Sequence, residues 1–599
     1  MLGRQFSVMA KKAFFLFGFC IFAIMVSVKA GASEKGIFIE YTVNIKEEEP
    51  DHIHIKTRIW PVPTAFLRLS MTQNYGQAKK LEEVIPEISV YGAGRKLSTI
   101  KKTSEFLWVI DLMKHDDIVI DYAVNTRYPF TSLNSVRLPY RDADHLYFPA
   151  ASVFIHPDEK YLDDNNVKIR RIRVNFDLPK GWIAATSWGT GRSSYDLSPP
   201  SCENLNFGLI GAGHYRVYSF LRVYSLKDKA LPIDIALLNP GPVPDEEIIR
   251  VVDQALSTGD NLFGFFPVPR LFALFHFIFD HPGQGSANAL GWSVNLNYSR
   301  NPEAPDRLKE KAHIFHEIFH FWNGTEGGPI SRAQSDHSLI WFTEGITRFY
   351  QYKNMLRSGV ISEEKYFQYL SGEFSDVYVS ARREDSLNKI SVDYYSDPNA
   401  MALTYSKGCC LAFALDLLLR HSSAGRINFD AVMQKMLERY DFRLNRHCYS
   451  HEELNGVFRE ILENRFYPSY ERLYGKDFVR EFESILDLAG LQIEKRKGSR
   501  LYFGIIDFGP PSGPLKAFVL DRESPAYKAG LREEDVLLEI NSLKVNDISD
   551  IKKALDGKDE GESVALVIER KGQIKKLLAP WASYATSFNI RRKNAKDLK

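Results

Sequence analysis

The stretch Lys311-Ala-His-Ile-Phe-His-Glu-Ile-Phe-His320 holds a His-Glu-x-x-His pattern, with His316 and His320 one helical turn apart and Glu317 between them. On a helix, positions i and i+4 share a face about 5–6 Å apart, so both imidazoles can converge on one metal ion. Glu317 falls one step round the helix, near enough to take a proton from water at that metal without being a ligand. Ile314, Phe315, Ile318 and Phe319 supply an apolar side on which such a helix would pack. The plain alternative is a buried helix with two satisfied histidines. His313, one turn before His316, reads as a packed or solvent-facing histidine.

A catalytic zinc needs a third protein ligand and an open fourth position. Downstream, Trp341-Phe-Thr-Glu-Gly-Ile-Thr-Arg-Phe-Tyr350 is again helical in pattern, with Glu344 among Trp341, Phe342 and Phe349. A lone carboxylate on an apolar face is costly unless paired or metal-bound. Glu344 is therefore the candidate third ligand, and an exposed surface glutamate is the bland reading. Asp336 and His337 are rival ligands without that helical setting. Two histidines and a glutamate suit zinc well, and zinc so held acidifies water and polarises a carbonyl. Tyr405 opens a helical stretch running to Arg420; by spacing alone it is an ordinary boundary tyrosine.

On the N-terminal side of this region, from about residue 36 to 225, short alternating segments such as Ile37–Val43, Ile53–Ile59 and Ile118–Val124 predict an all-β sandwich. Helical periodicity then dominates, at Asp245–Leu256, Arg307–Phe321, Trp341–Arg357, Glu363–Leu370 and Tyr405–Arg420. Strand patterns return near Ser499, at Leu501–Ile505, Ala517–Leu520, Val536–Ile540 and Ser563–Ile568. The expectation is a multidomain α+β chain, with a β-domain over 33–228, a mainly helical domain over 229–498, a third domain over 499–585 and a basic tail over 586–599, frayed from Arg591 to Lys599.

The N-terminus reads as an export signal over residues 1–32. Arg4, Lys11 and Lys12 precede an apolar run from Ala13 to Val28, and Ala30-Gly-Ala32 offers a cleavage site. That run would rise about 24 Å as a helix, short of a roughly 30 Å hydrocarbon core. A periplasmic or secreted address is expected; an uncleaved anchor in the inner membrane is the alternative, and membrane contact is expected only then. No other segment reads as long and apolar enough to span a bilayer. Lysine plus arginine number 77 against 75 aspartates and glutamates, a net charge of +2, which removes the compositional case for a nucleic-acid binder. With 44% hydrophobic and 25% charged residues, wholesale disorder is excluded too. Cys20 lies in the signal; Cys202, Cys409, Cys410 and Cys448 form no disulfide scaffold, and the Cys409-Cys410 pair reads as buried thiols.

His316-Glu-Ile-Phe-His-Phe-Trp-Asn323, Trp341–Tyr350 and Gly359-Val-Ile-Ser-Glu-Glu-Lys-Tyr366 together resemble the M61 glycyl-aminopeptidase family of gluzincin metallopeptidases, relatives of the M1 aminopeptidases. The resemblance implies an N-terminal β-domain, a thermolysin-like catalytic domain and a C-terminal PDZ domain, in the order read above. It implies one zinc per chain on His316, His320 and Glu344, with Glu317 as general base. It also makes Tyr405, in Tyr405-Ser-Lys-Gly408, the tyrosine that stabilises the transition state. Leu501-Tyr-Phe-Gly-Ile505 resembles a PDZ carboxylate-binding loop, in which Tyr502, Phe503, Gly504 and Ile505 would take a peptide C-terminus.

In one place the chain departs from the family pattern. The acidic residue that anchors a substrate's free amine is missing from Gly283-Gln-Gly-Ser-Ala-Asn-Ala-Leu-Gly-Trp292, leaving Gly285 and Asn288 as the substrate-side candidates, with Glu326 or Asp336 as substitutes. A peptide- or protein-cleaving aminopeptidase is the expectation. A metallo-endopeptidase is the runner-up, followed by a non-catalytic PDZ peptide-binding protein with a vestigial metal site and by a cell-wall-directed hydrolase.

Overall fold

The computed structural model describes residues 35–593 except 63, 73–80, 98–99, 105–106, 113–114, 127–135, 224–229, 239–243, 280–284, 301–306, 326–327, 381, 502–504, 509–514, 516, 521–524, 533–534, 547, 556–561 and 581–583. The expected export signal therefore lies outside the described residues.

In the N-terminal region, β1 (Lys35–Asn44) pairs antiparallel with β2 (His52–Trp60), which pairs with β3 (Ile118–Asn125); on its other side β1 runs parallel to β4 (Val167–Asp177). Alternate residues point inward, Ile37, Ile39, Tyr41 and Val43 on β1 and Ile118, Ile120, Tyr122 and Val124 on β3, and all are buried. That period of two is what the sequence displays. Among the described residues this β-rich region comprises sheets of seven, five and four strands, most of whose inward side chains share one core.

The next unit opens with a hairpin of β5 (Arg216–Val223) and β6 (Ala230–Leu238). Parallel to β6 runs β7 (Leu271–Phe279); the edge strand β8 (Gly285–Leu290) pairs antiparallel with β9 (Ser293–Ser299), which lies parallel to β7. The expected boundary at residue 228 thus cuts a hairpin, and the mainly helical domain contains a five-stranded mixed sheet. Leu-Phe-Ala-Leu-Phe-His-Phe-Ile over 271–278 is buried at every position, so it offers no alternation by which to recognise a strand.

Around this sheet pack α1 (Asp245–Phe263), α2 (Leu308–Phe319), α3 (Ile346–Arg357), α4 (Glu363–Val379) and α5 (Pro398–Ser422), in a core separate from that of the N-terminal sheets. Contrary to the sequence reading, among the described residues one helix outside the N-terminal run is long and apolar enough to cross a membrane, by length and composition: Asn399–Ser422 of α5. Most of it is buried inside the protein, between α3 and α4 among others, and its apolar side chains pack in the core while Thr404, Ser406, Lys407 and Asp416 are buried polar positions on the same helix.

From this core β10 (Leu491–Leu501) leads into a small module with its own core of Leu515, Ala526, Leu537, Ile551, Val564 and Ile568. The module begins with the hairpin β11 (Ile505–Phe508) and β12 (Ala517–Leu520). The chain then returns as β13 (Tyr584–Arg592), antiparallel to β10. The expected fraying from Arg591 is corrected for the described residues of the tail, which end at Lys593. Phe588 and Ile590 are buried against α4, and their backbone N–H groups donate to Ser375 Oγ at 3.3 Å and Ser371 Oγ at 2.8 Å. The described basic residues of that tail are paired: Arg591 with Glu494, Arg592 with Glu363 and Lys593 with Asp487.

Candidate metal and catalytic site

His316 lies in the last turn of α2 and His320 just past its end. Their Nε2 atoms stand 3.1 Å apart, and Glu344 Oε2 lies 3.3 Å from the first and 3.4 Å from the second. Tetrahedral ligands at about 2.0–2.1 Å from zinc stand about 3.3–3.4 Å from one another, so the triangle fits that ion. Both rings are fixed from behind. His316 Nδ1 donates to Gln351 Oε1 at 3.1 Å and His320 Nδ1 to the Asn323 carbonyl at 3.0 Å, which leaves both Nε2 atoms facing inward. Among the described residues no other group of three such side chains converges in this way.

Burial works against charge on all of these groups. It pushes His316 down to about 4, whereas at His320 the Glu344 carboxylate outweighs it and holds the imidazole up at about 9. Burial likewise opposes ionisation of Glu344, but the His320 charge and hydrogen bonds from both histidines keep it well below the usual carboxylate range. Glu317 behaves oppositely: burial lifts it to about 7, with the Ala289 backbone N–H, His320 and Arg137 pulling the other way. A carboxylate poised near neutrality beside a metal-ligand triangle is suited to taking and returning a proton.

The two ligand-bearing segments are joined by Asn323. Its carbonyl orients His320, while its buried Nδ2 donates to the Phe342 carbonyl at 2.9 Å and lies within 3.3 Å of Thr347 Oγ1. Glu344 itself sits in a π-helical turn, Trp341–Gly345, that runs directly into α3. Such a turn displaces side chains from ordinary helical spacing and leaves carbonyls for Asn323 to satisfy. Behind the turn, Gly345 and Gly408 face each other: a Cβ on Gly345 would meet Gly408 Cα at 2.6 Å, and one on Gly408 would meet Gly345 Cα and the Trp341 carbonyl at 2.9 Å. Two glycines thus let α5 touch the turn backbone to backbone.

That contact brings Tyr405 to the metal side. Its ring centroid is 5.9 Å from that of His316, the Arg348 guanidinium lies 5.0 Å over its face, and its hydroxyl is 2.7 Å from Tyr394 Oη. The rest of Tyr405-Ser-Lys-Gly408 is structural. Lys407 is buried and its ammonium donates to the carbonyls of Arg383, Asp385 and Gly475 at 2.7–2.9 Å. The loop it holds also carries Arg382, which pairs with Asp385, Asp393 and Asp397 at 2.9, 2.7 and 2.6 Å. Asp397 in turn caps the first turn of α5.

The structure brings His316, Glu317, His320, Glu344 and Tyr405 together. Gly285 and Asn288 lie on the edge strand β8, against which α2 packs, and the whole strand is free of acidic residues. His313 stacks on Tyr298 at 6.0 Å, apart from the metal triangle. Asp336 accepts from Ser338, and His337 packs edge-on against Tyr395, so neither rival is a ligand. Glu326, Tyr502, Phe503 and Gly504 lie outside the described residues; Ile505 opens β11, its backbone opposite Leu520. All four described cysteines are free. Asn323, Gln351, Tyr394 and Arg382 were not singled out from sequence. Gln351 had a signal, since it follows Glu344 by two helical turns on the same face.

Residues 311–410 match the M61 glycyl aminopeptidase family, residues 40–203 the peptidase M61 N-terminal domain and residues 519–570 a PDZ domain. Among solved structures, an aminopeptidase N family protein from Idiomarina loihiensis is similar at TM-score 0.73 and 17% identity, over 94% of this chain and 99% of that one. An M1 zinc metallopeptidase from Deinococcus radiodurans gives TM-score 0.46 and 13% identity, over 74% of this chain and 93% of that one. No curated protein sequence matches.

Proposed function

From a chain that carries the M61 catalytic and N-terminal domains with a PDZ domain, and that is an aminopeptidase-like zinc peptidase, we propose an exported enzyme that removes N-terminal residues from peptides. One zinc per chain would sit on His316, His320 and Glu344. The observation that carries this reading is the ligand triangle of 3.1–3.4 Å beside the buried carboxylate of Glu317.

Zinc, when bound, supplies Lewis acidity toward a carbonyl and acidifies water. Glu317 receives the proton of the attacking water and returns it to the leaving amine. Tyr405, a neutral phenol whose burial resists ionisation, donates its O–H to the carbonyl oxygen as negative charge develops there. The edge strand β8 offers backbone groups to an extended substrate. Export is supported by the basic, apolar and small-residue sequence of the first 32 residues, and the PDZ domain suits a peptide C-terminus.

Endopeptidase action is the second reading, favoured by the absence of an acid along Gly285–Leu290. Paired peptides, free and acetylated at the N-terminus, separate the two when products are identified by mass spectrometry with Glu317→Gln as control. Stepwise loss of N-terminal residues from free peptides supports the proposal. Internal cuts in both forms overturn it in favour of the endopeptidase, and no cleavage overturns both.

A further inference from the structure

We propose that Tyr394 is a positioning residue for the reaction, donating a hydrogen bond to Tyr405 so that two phenols in series serve the developing oxyanion. The inference rests on the peptidase reading above and adds to it a residue outside the metal motifs.

The two hydroxyl oxygens lie 2.7 Å apart, a full hydrogen bond in which one O–H must donate to the other oxygen. When Tyr405 spends its proton on the substrate oxygen, its own oxygen is left as the acceptor, and Tyr394 is placed to fill it. The chain then runs from Tyr394 O–H to Tyr405 oxygen and from Tyr405 O–H to the substrate. Each phenol keeps its proton throughout, and no acid or base is consumed. Bonds aligned in this way polarise one another, so the outer phenol strengthens the inner donor. Burial pushes both phenols above their ordinary range, so both remain protonated donors.

Tyr394 is also held independently of Tyr405. Its ring packs edge-on against Tyr395 at 4.9 Å, and the preceding residue, Asp393, is pinned by Arg382. Lys407 ties the upstream part of the same loop to α5 through the carbonyls of Arg383 and Asp385. The outer phenol is thus anchored from the loop and the inner one from the helix. A shift of either element would change the O–O distance on which the relay depends.

The test is a double-mutant cycle of Tyr394→Phe, Tyr405→Phe and the double variant. For each, kcat and KM are measured on a free N-terminal peptide, and affinity for a phosphinic dipeptide analogue is measured by calorimetry. Zinc content and thermal unfolding are followed in parallel. Tyr394→Phe is expected to lower kcat and phosphinate affinity about ten-fold with KM nearly unchanged, as loss of one hydrogen bond that strengthens in the transition state would. In the Tyr405→Phe background it is expected to add almost nothing. Wild-type kcat and phosphinate affinity in Tyr394→Phe would overturn the proposal. So would an equal loss with and without the Tyr405 hydroxyl, which would mark Tyr394 as packing. Absence of cleavage by the wild type would overturn the peptidase reading instead, and the phosphinate cycle would still decide the relay.

Discussion

On one side of the site, His316, His320 and Glu344 are positioned by neutral contacts: a glutamine, a backbone carbonyl, the amide of Asn323 and the meeting of Gly345 with Gly408. On the other, Tyr394 and Tyr405 are held by charge. Arg382 gathers three carboxylates, Lys407 is spread over three carbonyls, and Arg348 lies between the Tyr405 ring and Glu373. Neutral, packed contacts keep a metal's ligands fixed whatever the solution, whereas ion pairs respond to salt and protons. The tyrosine side should therefore be the tunable one.

The largest expected effect avoids both scaffolds. Glu317→Gln should cut kcat about a thousand-fold and leave metal content unchanged, checked by peptide hydrolysis alongside elemental analysis. Loss of metal as well would show that the base also organises the ligand side. Gly408→Ala strikes where the sides touch, since its Cβ would meet backbone atoms at 2.9 Å that cannot give way as a side chain can. It should cost about 2–3 kcal/mol in urea unfolding and lower kcat. An unperturbed variant would mean that the two sides are not coupled there.

Lys407 tests the tyrosine side through pH. Burial holds its folded pKa down at about 7, below the ordinary lysine value. Below about pH 7 both folded and unfolded states carry the proton and the burial penalty is fully present; as pH rises from 7 toward 10 the unfolded chain binds more protons, so the wild type gains stability. Lys407→Met lacks that gain. The difference between their unfolding free energies, measured in urea, should move by about 2 kcal/mol in the wild type's favour between pH 6.5 and pH 9. The smallest effect expected is that of Arg382→Met, a three- to ten-fold fall in kcat, roughly 1 kcal/mol, with unchanged zinc affinity. The wild type's own kcat should decline with added salt and the variant's should not; equal salt responses would break the contrast between the sides.

The difference also explains what could be read from the sequence. The metal ligands and base were legible because a helix turns a four-residue spacing into a shared face, and Glu344 stood out as a carboxylate among aromatic residues. Tyr394 was not legible, because its role lies in an 11-residue separation bridged through a loop, and Tyr405 carried no weight by spacing alone. Arg382 and its aspartates look like any charged loop until their geometry is known. The strand Leu271–Phe279 was hidden by being buried on both faces, whereas β1 and β3 announced themselves by alternation. At the C-terminus the signal was present but outweighed. Phe588 and Ile590 alternate, yet the neighbouring arginines and lysine suggested solvent because their acidic partners, Glu363, Asp487 and Glu494, lie about a hundred residues or more away in sequence.

The ribbon of β10 and β13 has a consequence for the gene. A stop codon placed where the helical domain looks finished would delete β13 together with the PDZ domain. It would strip Phe588 from Phe374 and Tyr378 and leave the hydroxyls of Ser371 and Ser375 without their backbone donors. The PDZ domain is carried as cargo on a loop whose two ends are sewn into the enzyme. Removing it cleanly means cutting inside that loop and rejoining β10 to β13, whereas a single protease nick within the cargo would leave the ribbon and its packing on α4 in place.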